Sequence, residues 1–221
     1  MPKPGELAVV IPVGPDDTAW CGLMPLLAGM PAATHVVLSM AAGDAQSTAM
    51  AAPSVQVIYG PAGRGRQQNA GAAATTQPWL WFLHADSRFD ASALRAIECL
   101  ADEPALAYFN LHFHDGGAAM RVNACGAWLR SHVLRLPFGD QGLLLPRVVF
   151  NQLGGFAEQL AGGEDHALVW AARRARVPLR PLRAQLSTSA RKYNEQGWWQ
   201  TTAKHLRLTW SQARQFSAAQ R

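Results

Sequence analysis

The stretch that most constrains this chain is Trp79 to Asp86, WLWFLHAD, where an unbroken apolar run ends on His84-Ala85-Asp86. A strand with one wet face alternates apolar and polar residues, whereas an uninterrupted run is buried on both faces, as strands of a parallel sheet are. The acid then falls at the strand's carboxyl end, the edge where open α/β sheets bind ligands, so Asp86 is placed to hold a metal or a metal-bound phosphate. Asp90 is the better N-cap for the helical stretch Ala91 to Ala101, whose Leu94, Ile97 and Leu100 share a face, and this leaves Asp86 available for chemistry.

The first hundred residues repeat the same logic. Leu7 to Val13, His35 to Ser39 and Val55 to Tyr59 read as short buried strands, and Trp20 to Leu27 as a crossover helix. Strand and helix alternate, which predicts a mostly parallel sheet wound by right-handed βαβ crossovers. With 221 residues and no shift in composition, one α/β domain is expected. Cys21, Cys99 and Cys125 are odd in number and lack metal-ligand spacing, which predicts free thiols in a reducing compartment. The first apolar run is too short to span a bilayer and meets Asp16-Asp17, so a cytoplasmic protein with at most peripheral membrane contact is expected.

After the third strand, Gly63-Arg64-Gly65-Arg66-Gln67-Gln68-Asn69-Ala70-Gly71 runs into an alanine-rich helix. Glycines admit close backbone approach, a helix N-terminus offers unpaired amides, and two arginines add charged donors, so the run predicts an anion cradle. It is neither a P-loop nor a dinucleotide fingerprint, because the lysine and the glycine spacing are wrong. Ala105 to His114 alternates Phe109, Leu111 and Phe113 with Asn110, His112 and His114, a strand with one polar face; two histidines without a third ligand do not make a metal site. Val122, Cys125, Leu129, Val133 and Leu136 trace one helical stripe, with Arg121, Arg130 and Arg135 off it. The loop Pro137 to Gly142 enters a strand Leu143 to Leu145, and a short helix Val148 to Leu153 ends at Gly154-Gly155. Glu164-Asp165 then open a helix reaching Arg176, with Leu168, Ala171, Ala172 and Ala175 facing inward; the helix dipole favours ionised acids there.

The net charge of +5 is concentrated beyond residue 190, where six cations face Glu195 alone. Trp199, Ala203, Leu206, Trp210, Ala213 and Phe216 recur at helical spacing, with Lys204, Arg207 and Arg214 off that line. The expected organisation is a domain over 1–190 and a basic amphipathic helical extension over 191–221. That helix would pack on the domain or pair two subunits, or else lie on an anionic membrane. Nucleic acid is not an expected partner, since no zinc-finger, RNP or helix-turn-helix pattern accompanies the charge.

Four segments in order, Gly63 to Gly71, His84-Ala85-Asp86, Gly139-Asp140-Gln141, and Gly154 to Phe156 with Glu164-Asp165, resemble glycosyltransferase family 2 proteins of the GT-A fold. The likeness is to a small bacterial branch carrying GRxRQxNxG, HAD, GDQ and GGF…ED, and spans about Leu7 to Arg191. It implies a single GT-A domain, a nucleotide-diphosphate sugar as donor, an acceptor hydroxyl, and inversion at the anomeric carbon; a lipid-linked acceptor would suit the membrane-lying version of the C-terminal helix. Asp86 matches the last position of the family's metal-binding DxD, holding Mg²⁺ or Mn²⁺, with His84 in place of the first acid. Asp165 matches the general base, with Glu164 orienting it. The donor would meet Pro12, Ser39, Asp44, Arg64, Arg66, Gln67, Asn69, His84 and Asp86, and Asp140 and Gln141 would line the sugar or acceptor pocket. The chain departs from the family at Ser39, where an acid usually reads the nucleoside. It also lacks QxxRW, for which Arg191-Lys192-Tyr193 or Trp198-Trp199 are loose substitutes. Two other readings remain open: a non-catalytic nucleotide-sugar binding protein and a nucleotidyltransferase.

Overall fold

A computed structural model describes residues 5–43, 54–100, 104–202 and 207. The elements in order are β1 (Leu7–Val13), a 3-10 turn at Ala19–Leu23, α1 (Met24–Ala28), β2 (His35–Ala41), β3 (Val55–Gly60), α2 (Arg64–Ala73), β4 (Trp79–Phe82), α3 (Ala91–Glu98), β5 (Leu106–Phe113), α4 (Ala119–His132), a 3-10 turn at Gly139–Gln141, β6 (Leu144–Pro146), α5 (Arg147–Gln152), α6 (Glu164–Arg174), β7 (Leu179–Thr188) and α7 (Arg191–Gln196). The sheet runs β3-β2-β1-β4-β6-β5-β7. The first four strands are parallel, and β5 pairs parallel with β7. Between these two parallel blocks β6 lies antiparallel to both β4 and β5. The expected mostly parallel α/β sheet is therefore what forms.

Burial on both faces explains the unbroken runs. Val9, Ile11, Trp79 and Trp81 enter one core with Trp20, Leu23 and the α3 residues Ala93 and Ile97. Ala8, Val10, Leu80 and Phe82 enter the other, with Ala72 of α2, Phe150 of α5 and Leu168 of α6. Asp90 caps α3 as expected, its Oδ1 accepting from the amides of Ser92 at 2.8 Å and Ala93 at 3.3 Å.

Two sequence expectations change, and one strand was not anticipated. The stripe on α4 is helical but faces outward: Val122, Leu129 and Val133 are 62%, 53% and 61% exposed, and only Leu136 of the set is buried. The inward face carries Met120, Ala127 and Ser131 instead, because α4 sits close to β5, where the Tyr108 hydroxyl donates to the Ser131 carbonyl at 2.9 Å. On α6, Leu168 and Ala172 do turn inward, Ala171 is half-buried and Ala175 is exposed. Strand β7 is legible only in retrospect. Leu179, Leu182, Ala184, Leu186 and Thr188 are buried, but the alternation slips around Pro181 where the ladder to β5 shifts register between Tyr108 and Asn110.

Candidate active site

The sheet positions one deep cavity of about 510 Å³ at the ends of β1, β4, β5 and β7. The turn after β4 supplies His84, Ala85 and Asp86 to its wall. That turn is held from within, since Ser87 Oγ accepts the His84 amide at 3.1 Å and Arg88 exchanges backbone hydrogen bonds with Ser187 of β7. The 3-10 turn at 139–141 presents Asp140, and the first turn of α6 presents Glu164 and Asp165. Gly63, Arg64 and Gln67 contribute the start of α2; Gly63 takes φ +136, a conformation open chiefly to glycine.

Asp165 is the most firmly placed acid. Its Oδ2 accepts the Gly139 amide at 2.5 Å and its Oδ1 the His166 amide at 2.8 Å. Burial works to raise its pKa, but the Gly139 amide, the nearby Arg64 and His84, and the His166 amide outweigh it and hold Asp165 below the usual carboxylate range. Glycine at 139 allows this close approach: a Cβ would lie 2.8 Å from both Asp165 Oδ2 and His84 Nε2, so those side chains would have to shift.

Asp140 has the opposite surroundings. Its buried Oδ1 has no hydrogen-bond partner among the described residues. Burial pushes its pKa up to about 6; Arg130 opposes the rise, while Asp165 and Asp86 reinforce it. Arg130 is anchored beside it, its guanidinium carbon 3.3 Å from the Phe138 ring centroid. Glu164 is buried and 3.2 Å from Arg64, and burial with the charge of Asp165 raises its pKa against the pull of that arginine.

Among the residues expected from the sequence, the cavity brings together Pro12, Arg64, Gln67, His84, Asp86, Asp140, Glu164 and Asp165. Others go elsewhere. Asn69 closes on the glycine loop: its amide donates to Phe156 O at 3.0 Å and Glu158 Oε1 at 2.8 Å, and its oxygen accepts the Phe156 amide at 2.9 Å. Gln141 is fully buried as a bracket, donating to Phe109 O at 2.9 Å and accepting from the Phe138 amide at 3.2 Å. Gln67 reaches the wall but donates its amide to Val13 O at 2.5 Å and Ser39 O at 2.8 Å, tying the ends of β1 and β2 to α2. Ser39 itself is buried beneath this tie, and Arg66 is exposed outside the cavity. Gly71 serves packing rather than a ligand, since a Cβ there would lie 2.4 Å from Val10 Cγ1. Of the run expected to form an anion cradle, only Gly63, Arg64 and Gln67 border the cavity. Asp44 lies outside the described residues.

Sequence reasoning missed Asp17, Thr188 and Ser189 as site residues, and met Arg191 and Tyr193 only as stand-ins for an absent motif. All five line the cavity. Asp115 at the end of β5 places them, accepting from Ser189 Oγ at 2.7 Å and from the Ala190 amide, so the start of α7 is turned into the wall. Arg191 lies 3.8 Å from Asp17, and Tyr193 packs edge-on against Phe113. The signal was an Asp just past a strand end followed 74 residues later by a Ser-Ala-Arg turn, which no local pattern connects. The remaining stripe positions Ala203, Leu206, Trp210, Ala213 and Phe216 lie outside the described residues, while Trp199 is 79% exposed.

Among the described residues no three His, Cys, Asp or Glu side chains converge as a closed metal site. Of the cavity's lining residues, Asp86 and His84 are those that could contribute to a divalent-cation site, which substrate phosphates and water would have to complete. The cavity's acids also outnumber its arginines, Asp17, Asp86, Asp140, Glu164 and Asp165 against Arg64 and Arg191, so an anionic ligand there calls for an added cation.

No family profile and no curated protein matches the chain. Solved structures do. S. aureus TarS 1-349 superposes with TM-score 0.65 at 13% identity, over 83% of this chain and 60% of that one. The mannosyltransferase PcManGT from Pyrobaculum calidifontis, in complex with GDP-Man and Mn²⁺, gives 0.62 at 16% identity over 93% and 64%. Glucosyl-3-phosphoglycerate synthase from Mycobacterium tuberculosis, with Mn²⁺, UDP and phosphoglyceric acid, gives 0.60 at 16% over 86% and 73%. The chain spans less than two thirds of the length of the first two. What they share with it is the architecture, and the chain has the GT-A glycosyltransferase fold.

Proposed function

We propose that this cavity binds a nucleotide-diphosphate sugar and transfers the sugar to an acceptor hydroxyl with inversion, assisted by a divalent cation. The observation that carries the reading is the meeting of Asp86, Asp140 and Asp165, from three separate elements, with Arg64 and the N-terminus of α2 in one cavity on a GT-A fold. Asp165 takes the proton from the acceptor oxygen as that oxygen bonds to the anomeric carbon and the bond to the diphosphate breaks. Its two backbone hydrogen bonds aim the carboxylate, and its low pKa keeps it ionised and ready to accept. Arg64 holds Glu164 and presents its remaining donors to the diphosphate. Asp86 would hold the cation, which when bound offsets charge on the departing diphosphate. Tyr193, Arg191 and Asp140 border the same space and are placed to contact donor or acceptor.

Calorimetry against UDP, GDP and dTDP sugars, with and without Mn²⁺, tests the reading. Metal-dependent binding of one donor that Asp86→Ala abolishes supports it, and equal affinity with and without Mn²⁺ removes the role given to Asp86. Tight donor binding with no product from any hydroxyl acceptor would leave the non-catalytic binding protein. Ser39→Asp adds a check on base recognition: unchanged affinity means that the nucleoside is read elsewhere, as the burial of Ser39 beneath Gln67 favours.

A further inference from the structure

We propose that the outward face of α4 is a docking surface for an anionic lipid bilayer. Five of the eight large apolar side chains exposed among the described residues, Val122, Trp128, Leu129, Val133 and Leu134, lie in this one stretch of thirteen residues, and exposed Cys125 sits on the same stripe. Scattered apolar residues on a surface need no explanation, but a contiguous patch marks something that covers it. Nothing within the described residues does so, because α4 turns its small face, Ala127 and Ser131, to the sheet.

The charge around the patch says what kind of cover fits. Exposed Arg121 and Arg135 border the stripe. The end of α6 abuts it, since Arg173 Nη1 donates to Leu134 O at 3.0 Å, and this brings in exposed Arg174 and Arg176. The chain has no Asp or Glu between Asp115 and Asp140, and none between Asp165 and Glu195. A second copy docked face to face would therefore set arginines against arginines with no acid to answer them. Anionic headgroups supply the missing countercharge, and the stripe with its tryptophan suits the boundary between headgroups and acyl chains. No helix among the described residues is long and apolar enough to cross a membrane, so this contact lies along the surface. The same helix carries Arg130, stacked on Phe138 of the cavity wall, so the docking face and the cavity share α4 as a common element. The inference goes beyond the proposed reaction and does not depend on turnover.

The test uses the full chain and vesicles of phosphatidylglycerol or phosphatidylcholine. The protein is expected to co-sediment with phosphatidylglycerol at low salt, to release as salt rises, and to ignore phosphatidylcholine. Leu129→Glu and Val133→Glu, each at an exposed position and each checked for unchanged circular dichroism, are expected to lower partitioning at least tenfold. A polarity-sensitive fluorophore on Cys125, in a Cys99→Ser background, should shift to the blue on the vesicles. The same dye on Cys99, in a Cys125→Ser background, should not, because α3 packs on the opposite face of the sheet. Undiminished binding by both glutamate variants, with no shift at Cys125, would place the contact elsewhere, as in the C-terminal segment, and overturn the proposal. So would a wild-type protein that ignores phosphatidylglycerol, including one that self-associates through this face and is split by Leu129→Glu.

Discussion

Asp140 and Asp165 border the same cavity, yet their surroundings drive them apart. Asp165 opens α6, where the helix's own free amides and the Gly139 amide converge on its two oxygens. Asp140 sits on a 3-10 turn where the amides of Gly139, Gln141 and Gly142 are bonded elsewhere, so one buried oxygen is left without a partner among the described residues and only the arginines, Arg130 ahead of Arg64, oppose the cost of burial. The difference shows that backbone donors, more than proximity to cations, decide which acid stays ionised, because a buried carboxylate needs its lone pairs satisfied. It also separates their charge behaviour: Asp165 is held below the usual carboxylate range, as the base proposed above requires, while Asp140 changes charge near pH 6.

The largest effect that would break this contrast is on Asp165. Asp165→Asn keeps the shape and loses the proton acceptor, so single-turnover transfer should fall roughly a hundred- to ten-thousand-fold while donor affinity by calorimetry stays nearly constant. Turnover with an unaltered pH profile would reduce Asp165 to a helix-capping acid.

Gly139→Ala attacks the donor side of the same pair. The added methyl would press on Asp165 Oδ2 and His84 Nε2, so the amide bond to Asp165 must lengthen. Misplacing the carboxylate should cost on the order of a hundredfold in rate. Stability should fall by about 1 to 3 kcal/mol in urea unfolding. A rate loss with full stability, or the reverse, would separate aiming from packing.

Asp140→Asn sharpens the other half. Because the folded-state pKa of Asp140 is raised, the native protein binds the extra proton, and stability is greatest below the ordinary carboxylate pKa. It declines as pH rises toward about 6 and is level above that. The asparagine variant should lack this decline and be more stable than the parent at pH 7 by about 1 to 2 kcal/mol. Parallel stability curves from pH 4 to 7 would show that Asp140 ionises as an ordinary surface acid.

Arg64→Gln should have the smallest effect. The arginine draws down both Asp140 and Asp165 but is 43% exposed, so solvent screens it. Donor diphosphate affinity should drop by about tenfold or less, a loss that calorimetry with UDP and GDP reads directly. A drop beyond a hundredfold would make Arg64 the principal anion anchor and demote the backbone amides of α2.

Much of this was legible in the chain. WLWFLHAD is apolar without a break because β4 is covered on both sides, and the Asp90 cap is written in the residues that follow. The acids at 86, 140, 164 and 165 were readable because each sits at the end of a regular element with glycine or small residues beside it. Side-chain amides were not. Asn69, Gln67 and Gln141 resembled ligand groups because an amide suits either role, and only the fold revealed Phe156, Val13 and Phe109 as their partners. Arg191 and Tyr193 were obscured for the same reason, since the acid that turns them inward, Asp115, is far off in sequence.

The sequence by itself determined the periodicities: which residues form strands covered on both faces, where α3 and α6 begin, and that the stripe on α4 is helical. These are local, following from the repeat of each element and from the capping groups within a few residues. The tertiary structure alone decided which face of α4 turns inward, which amides bind backbone, and how two acids in one cavity come to titrate apart. Those outcomes depend on close approach between residues distant in the chain, where a single shared hydrogen bond or a methyl group's worth of space sets the result.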